Sequence, residues 1–97
     1  MAEVGLACYP NPFNPRTTLR LEVPSRASAV LVLCDCLGRE VRHLAVPPGG
    51  GVTESVWDAR DDHGREVATG VYFVRATIIS PTGKLLGSVI TKILYLK

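Results

Sequence analysis

One stretch in the middle of this chain, residues 57–73, restricts the possible folds more than any other. It reads Trp-Asp-Ala-Arg-Asp-Asp-His-Gly-Arg-Glu-Val-Ala-Thr-Gly-Val-Tyr-Phe and joins two apolar runs. Aspartate side chains fold back onto nearby backbone N–H groups, and glycine accepts positive φ without steric cost. The stretch therefore predicts a compact structural turn held by its own side chains, with a large aromatic anchor on each side. Its residues are Trp57, Asp58, Asp61, Asp62, Gly64, Gly70 and Tyr72.

The rest of the chain reads as short strands separated by turn residues. Residues 17–23 alternate apolar with charged side chains, which is the period of a half-buried strand. Further strand patterns cover 28–35, 40–46, 52–57, 71–79 and 84–97, and no helical period occurs. Such spacing predicts an all-β fold, an Ig-like antiparallel β-sandwich of about seven strands.

Prolines dominate the N-terminal part, at positions 10, 12 and 15. Proline lacks an N–H donor and pushes its predecessor into extended geometry. Residues 1–16 are therefore predicted to be an extended lead-in without ladder pairing, in which Tyr9 and Phe13 cover one end of the sandwich. Residues 17–97 are predicted to form the sandwich itself. A chain of 97 residues is expected to fold as one domain.

Four segments, taken together and in order, resemble a known family. They are residues 9–15 (Tyr-Pro-Asn-Pro-Phe-Asn-Pro), 35–41 (Asp-Cys-Leu-Gly-Arg-Glu-Val), the central stretch 57–73, and the apolar ending 91–97. The pattern resembles the type A C-terminal sorting domains of type IX secretion cargo, and it is similar to the related Ig-like domain of the flagellar hook-capping protein. The chain departs from the family pattern at Ala59, where glycine is usual.

The resemblance implies a secretion-sorting module at the C-terminal end of a longer protein. Such a module directs its cargo through the periplasm and across the outer membrane to the cell surface. The implied partner is a protein, the secretion translocon, so the module would contact this outer-membrane machinery transiently. By position, the recognition candidates are Lys92, Ile93, Leu94, Leu96 and Lys97.

The last strand is the element that a partner is expected to recognise. An exposed terminal strand can be bound by strand addition, in which backbone hydrogen bonds give affinity and alternate side chains give specificity. In a pleated strand Ile93 and Tyr95 share one face, whereas Leu94 and Leu96 share the other. One of these sets packs into the sandwich, and the sequence does not decide which.

Charge is unevenly distributed along the chain. Residues 54–66 carry five acidic side chains and two arginines, whereas 71–97 carry four basic side chains and no acid. Lysines on strand edges ordinarily discourage edge pairing, and a basic strand recognised by a partner is the alternative. The net charge of +2 is too small to predict a nucleic-acid partner.

No catalytic, cofactor or metal motif stands out. The spacing of Asp58, Asp61 and Asp62 differs from that of an EF-hand, so a structural turn is favoured over the alternative of a cation site. His43 and His63 lack the spacing of a metal pair, and neither a phosphate loop nor a nucleophile elbow occurs. We expect that the protein is not an enzyme and that it uses no cofactor and no small-molecule substrate.

A structural or assembly module is the second functional hypothesis, such as a hook-cap-like domain or an extracellular filament subunit. Strand 28–35 is apolar on both faces, so one set of side chains lies outside the core. Val52 and Val56 lie opposite Trp57 in the same way, and exposed apolar patches usually mark an interface. The predicted face for self-association contains Val30, Val32, Cys34, Val52 and Val56.

Overall fold

Seven strands in two antiparallel sheets make up the fold. The structure, a computed structural model, describes residues 5–97. The strands are β1 (Gly5–Tyr9), β2 (Thr17–Val23), β3 (Ser28–Asp35), β4 (Glu40–Val46), β5 (Gly51–Trp57), β6 (Gly70–Ile79) and β7 (Leu85–Tyr95). The sheets have the orders β1-β2-β5 and β4-β3-β6-β7. The predicted all-β sandwich is confirmed. Within residues 5–97 no helix is long and apolar enough to cross a membrane.

The core lies between the two sheets because the strands alternate inward and outward side chains. In β2 the inward residues Leu19 and Leu21 are fully buried, and in β6 Val74 and Ile78 are fully buried opposite them. Burying an aliphatic side chain of this size stabilises the fold by about 1.5–3 kcal/mol. The burial pattern of each strand therefore fixes which of its faces belongs to the sandwich interior.

Four aromatic rings close one end of this core, which we call the aromatic end. Phe13 stacks on Tyr95 with 5.0 Å between ring centroids and lies 5.6 Å from Trp57. Trp57 meets Tyr72 edge to face at 5.2 Å. Tyr9 differs from the prediction: it is 44% exposed, and its hydroxyl donates to Glu54 on the outer surface.

The N-terminal part also differs from its prediction. β1 pairs along its length with β2, with Cys8 opposite Leu19 and Tyr9 opposite Thr18. The prolines begin only at position 10, so the five residues before them keep the N–H groups that a ladder needs. The lead-in therefore shortens to residues 10–16, while residues 1–4 of the prediction lie outside the described range.

The shortened lead-in lies along the C-terminal end of β7. The Phe13 N–H donates to the Leu94 carbonyl at 2.9 Å, and the Leu96 N–H donates to the Phe13 carbonyl at 3.1 Å. The Asn11 side chain accepts from the Leu94 N–H at 3.0 Å and donates to the Lys92 carbonyl at 3.1 Å. Residues 11–13 thus stand where a neighbouring strand would otherwise pair, and we call them the N-terminal clamp.

Candidate recognition site

Two turns of the same construction border one cleft beside the aromatic end. The sequence Asp-x-x-Gly-Arg-Glu-Val occurs at 35–41 and again at 61–67, a short repeat that our sequence reading missed. In each copy one oxygen of the aspartate accepts the N–H groups two and four residues later, at 2.9–3.0 Å. The glycines of the two copies have φ of +85° and +80°. Gly64 therefore has the positive φ that the compact turn requires.

Within these turns the charged side chains satisfy one another. The Arg39 Nε lies 2.7 Å from an oxygen of Asp35, and the Arg65 Nε lies 3.5 Å from an oxygen of Asp61. The backbone N–H of Arg65 is the main cause of a lowered pKa at Asp61. The cleft between the turns has a volume of about 480 Å³, and most of the charged side chains that line it already have partners, either within these turns or, as for Asp62 and Glu66, on other segments. These pairs stabilise the two turns and fix the position of the loop between β5 and β6.

The three aspartates of the central turn have separate partners. Asp61 caps its own turn, whereas Asp58 lies 4.0 Å from the Arg60 guanidinium. Asp62 reaches across to β4, where one of its oxygens accepts the His43 N–H at 2.9 Å and the other contacts Nδ1 of the His43 ring. Among residues 5–97 no group of three potential ligands is arranged to hold a metal ion.

The aromatic anchors of the central turn are buried and hydrogen-bonded. The Trp57 indole donates to the Arg60 carbonyl at 2.9 Å, and the Tyr72 hydroxyl donates to the Ala68 carbonyl. Ala59 has φ of +60°, a left-handed conformation that glycine adopts more easily than alanine. Gly70 begins β6 with φ of +145°. All seven predicted turn residues thus lie in this connection or at its two ends.

β7 divides the recognition candidates into a buried and an outward group. Ile93 is completely buried, together with Tyr95, so it cannot contact a partner of the folded domain. This corrects the inclusion of Ile93 among the recognition residues. The outward set consists of Lys92, Leu94, Leu96 and Lys97, of which Leu94 is half-buried and the others are exposed.

Cross-strand pairing adds two neighbours to the outward set. Leu94 lies opposite Val71 and Lys92 lies opposite Phe73 on β6. Both β6 side chains are half-buried on the outer face of the four-stranded sheet. They were not among the predicted residues because the register between β6 and β7 is invisible in the sequence.

Strand addition at the terminal motif is blocked in the folded domain. The N-terminal clamp occupies the backbone edge from Lys92 to Leu96. An added strand would have to displace Phe13, whose side chain is only 2% exposed within the aromatic end. Recognition of the folded motif would therefore use the outward side chains, not the backbone.

The predicted association face is not one surface. Val30, Val32 and Cys34 lie on the outer face of the four-stranded sheet, whereas Val52 and Val56 belong to β5 in the other sheet. Because the two sheets pack against each other through their inner faces, these outer faces look in opposite directions. Val32 is also 7% exposed, whereas Val56 is 59% exposed.

Comparison with known proteins places the fold among several bacterial β-sandwich regions. No family model and no curated protein matches the chain. It is similar to dimeric latent PorU from Porphyromonas gingivalis, with 26% identity and a TM-score of 0.82 over 99% of this chain and 10% of PorU. It is also similar to PorZ, an essential bacterial surface component of the type IX secretion system of P. gingivalis, with 25% identity and a TM-score of 0.60 over 96% of this chain and 12% of PorZ.

A third similar structure is FlgD from Xanthomonas campestris, which is described in connection with hook capping in flagellar assembly. The identity is 21% and the TM-score 0.71, over 91% of this chain and 62% of FlgD. This likeness concerns the fold alone. The chain spans about a tenth of the length of PorU and PorZ. The chain therefore has an Ig-like fold related to regions of these proteins, and through PorZ it has a structural link to type IX secretion.

Proposed function

We propose that this chain is a non-catalytic sorting module of type IX secretion, which directs a cargo protein across the outer membrane to the cell surface. The observation that carries the proposal is the likeness to PorU and PorZ over at least 96% of this chain. The four motif segments, which resemble type A sorting domains, support it. The small share of PorU and PorZ that is matched fits a module attached to a larger protein.

The geometry of β7 suggests how such a signal would be presented. Ile93 and Tyr95 anchor the strand in the core, and the N-terminal clamp fixes its edge. Lys92 and Leu94 are then held on a paired strand, and Leu96 follows it with its N–H bonded to the Phe13 carbonyl, so this part of the motif would lose little backbone entropy when a partner binds it. Leu94 and Leu96 offer apolar surface, while Lys92 and Lys97 keep their charged ends in water.

A fusion experiment tests the proposed function. A reporter protein with a periplasmic signal peptide is joined to the N-terminal end of residues 1–97 and expressed in a bacterium with type IX secretion. We expect protease-accessible reporter on the cell surface, and retention in the periplasm without the domain or in a strain that lacks the translocon. Retention of a folded fusion in the wild-type strain would overturn the proposal.

An assembly module is the second candidate. The fold likeness to FlgD and the exposed apolar side chains of both outer faces favour it. This candidate predicts that the fusion stays in the periplasm regardless of the translocon. The same measurement therefore distinguishes the two functions.

A further inference from the structure

The edge of β7 is open between two closed ends. β7 is the outermost strand of its sheet, and between residues 87 and 91 no other strand of residues 5–97 pairs with that edge. At one end the N-terminal clamp begins at Lys92. At the other end a bulge leaves Leu86 unpaired, because Ile78 faces Gly87 and Ile79 faces Leu85. The regular open segment is thus five residues long and is centred on Val89.

The hydrogen bonds of the clamp show which backbone groups point outward. The Leu94 N–H and carbonyl, and the Lys92 carbonyl, are directed away from β6 and towards the clamp. In an antiparallel ladder, successive residues direct their N–H and C=O groups to alternate sides. Ser88 and Ile90 therefore present their N–H and C=O groups at the open edge.

The segment itself carries no charged side chain, since the nearest lysines, Lys84 and Lys92, lie on either side of it. Leu85, Leu86 and Ile90 are 64%, 50% and 59% exposed. Residues 85–91 contain neither a charged residue nor a proline, the two commonest devices that keep edge strands apart. An uncharged edge with exposed apolar side chains, whose outward backbone groups have no strand partner within residues 5–97, is a surface for strand pairing.

We propose that two copies of this chain pair antiparallel through their β7 edges, about a two-fold axis at Val89, to form one eight-stranded sheet. The open segment is symmetric about Val89, so a second copy fills it without an overhang at either end. The axis places Ser88 of each copy opposite Ile90 of the other copy. The outward N–H and C=O groups of these residues then form four hydrogen bonds between the two strands. Lys92 then faces Leu86 of the second copy, so no lysine opposes a lysine. The proposal does not depend on the sorting function.

Cross-linking tests two points together: that the pairing strand is β7 of a second copy, and that the two strands pair in the proposed register. In a chain carrying Cys8→Ala, Cys34→Ala and Cys36→Ser, Val89→Cys places two thiols directly opposite each other across the axis. Residues in such a non-hydrogen-bonded pair have Cα atoms about 4.5 Å apart, which a disulfide can span. We expect a disulfide-linked dimer from Val89→Cys and at least about tenfold less from Ser88→Cys, since residue 88 faces residue 90. Equal cross-linking of the two variants, or none, would overturn the proposal.

Sedimentation of the full chain across a concentration series measures the association itself. We expect a concentration-dependent dimer that Ile90→Lys weakens by about tenfold or more, since each pair then brings two lysines to an apolar edge. Val56→Lys is the matched control, because Val56 and Ile90 are equally exposed at 59%. Melting curves verify that both variants fold. A monomer up to about 1 mM, or a dimer that Ile90→Lys leaves intact, would contradict pairing through β7.

Discussion

At the scale of single residues, His43 ties the central turn to β4. Its Nδ1 contacts Asp62 of the turn, and its Nε2 lies 2.8 Å from Glu40, which in turn lies 3.4 Å from Arg75. The hydrogen bond to Asp62, followed by that to Glu40, raises the pKa of His43 above its ordinary value of 6.5. The same bond to His43 is the main cause of a lowered pKa at Asp62.

The His43 contact predicts a pH-dependent contribution to stability. Because the pKa of His43 is raised in the folded state, His43 contributes fully to stability below pH 6.5. This contribution is lost as the pH rises through the folded-state pKa. Because the pKa of Asp62 is lowered, Asp62 contributes to stability above pH 3.8, and this contribution is lost as the pH falls through its folded-state pKa. We expect His43→Gln to lower the melting temperature by at most a few degrees near pH 5.5 and by less above about pH 8. A gap that stays constant across this range would contradict the ion pair.

Gly64 makes a second prediction at this scale. Its φ of +80° suits glycine, and no atom lies within 4 Å of the position that a Cβ would take. The cost of substitution is therefore backbone strain and not a clash. We expect Gly64→Val to destabilise the fold by roughly 2 kcal/mol, a loss of about 8–16 °C in melting temperature. Gly64→Asn is the control, since asparagine tolerates this conformation, and equal melting temperatures of the two variants would count against the turn geometry.

The central turn is predictable from the sequence, whereas the contacts of His43 are not. The turn at 57–73 was predicted because aspartate and glycine have strong local preferences. The part played by His43 was not, since its partners lie three residues away on β4 and 19 residues away in the central turn. Ile93 was misassigned because a terminal motif names residues without saying which side of the strand is buried.

At the scale of elements, the N-terminal clamp predicts a local effect on β7. Asn11→Ala removes two hydrogen bonds from the edge, each contributing about 0.5–1.5 kcal/mol. We expect a lower melting temperature and faster hydrogen exchange of the Leu94 N–H than in the wild type. Asn14→Ala is the matched control, an exposed asparagine of the same segment that does not reach β7. Indistinguishable exchange at Leu94 in the two variants would rule the clamp out.

The loop before β5 predicts a second element-scale effect. Gly50 has φ of +75°, and a Cβ there would lie 2.6 Å from the Ser25 Cα and 2.7 Å from the Pro24 carbonyl oxygen. Gly50→Ala must therefore shift the backbone of the β2–β3 connection, and we expect a loss of about 2–4 kcal/mol by denaturant unfolding. Gly49→Ala meets no atom within 4 Å and should lose less than about 1 kcal/mol. Similar losses for both would show that the two loops do not touch.

Most strand boundaries were predictable from local pattern, and strand partners were not. β2, β3 and β4 have the predicted ends because alternation and turn residues are local signals. β1 was missed because five residues beside prolines show little pattern without the β2 edge that pairs with them. The clamp on β7 was missed for the same reason, since Asn11 meets residues more than 80 positions away.

At the scale of the whole molecule, both edges of the four-stranded sheet are closed near the aromatic end. Asn11 and Phe13 close β7, while the Asp62 N–H donates to the Val41 carbonyl at 2.9 Å and closes β4. In both places an Asn or Asp side chain accepts a strand N–H that another strand would otherwise bind. The molecule therefore presents its terminal motif as a fixed surface of side chains.

This arrangement separates the folding role of β7 from its proposed recognition role. A deletion of residues 92–97 removes the buried Ile93 and Tyr95 together with the outward set, so it cannot distinguish the two roles. The outward lysines can be changed alone. Lys97 makes one exposed ion pair, 3.6 Å from Glu66, which contributes little to stability.

Recognition through the terminal lysines is tested most directly by surface delivery of a reporter fused to the chain carrying both Lys92→Ala and Lys97→Ala. The matched control is Lys84→Ala, an exposed lysine in the β6–β7 turn at the opposite end of β7. We expect melting temperatures within about 3 °C of the wild type for both proteins. We also expect normal delivery for the control and retention of the reporter in the periplasm for the double variant. Normal delivery of the folded double variant would contradict recognition through the terminal lysines.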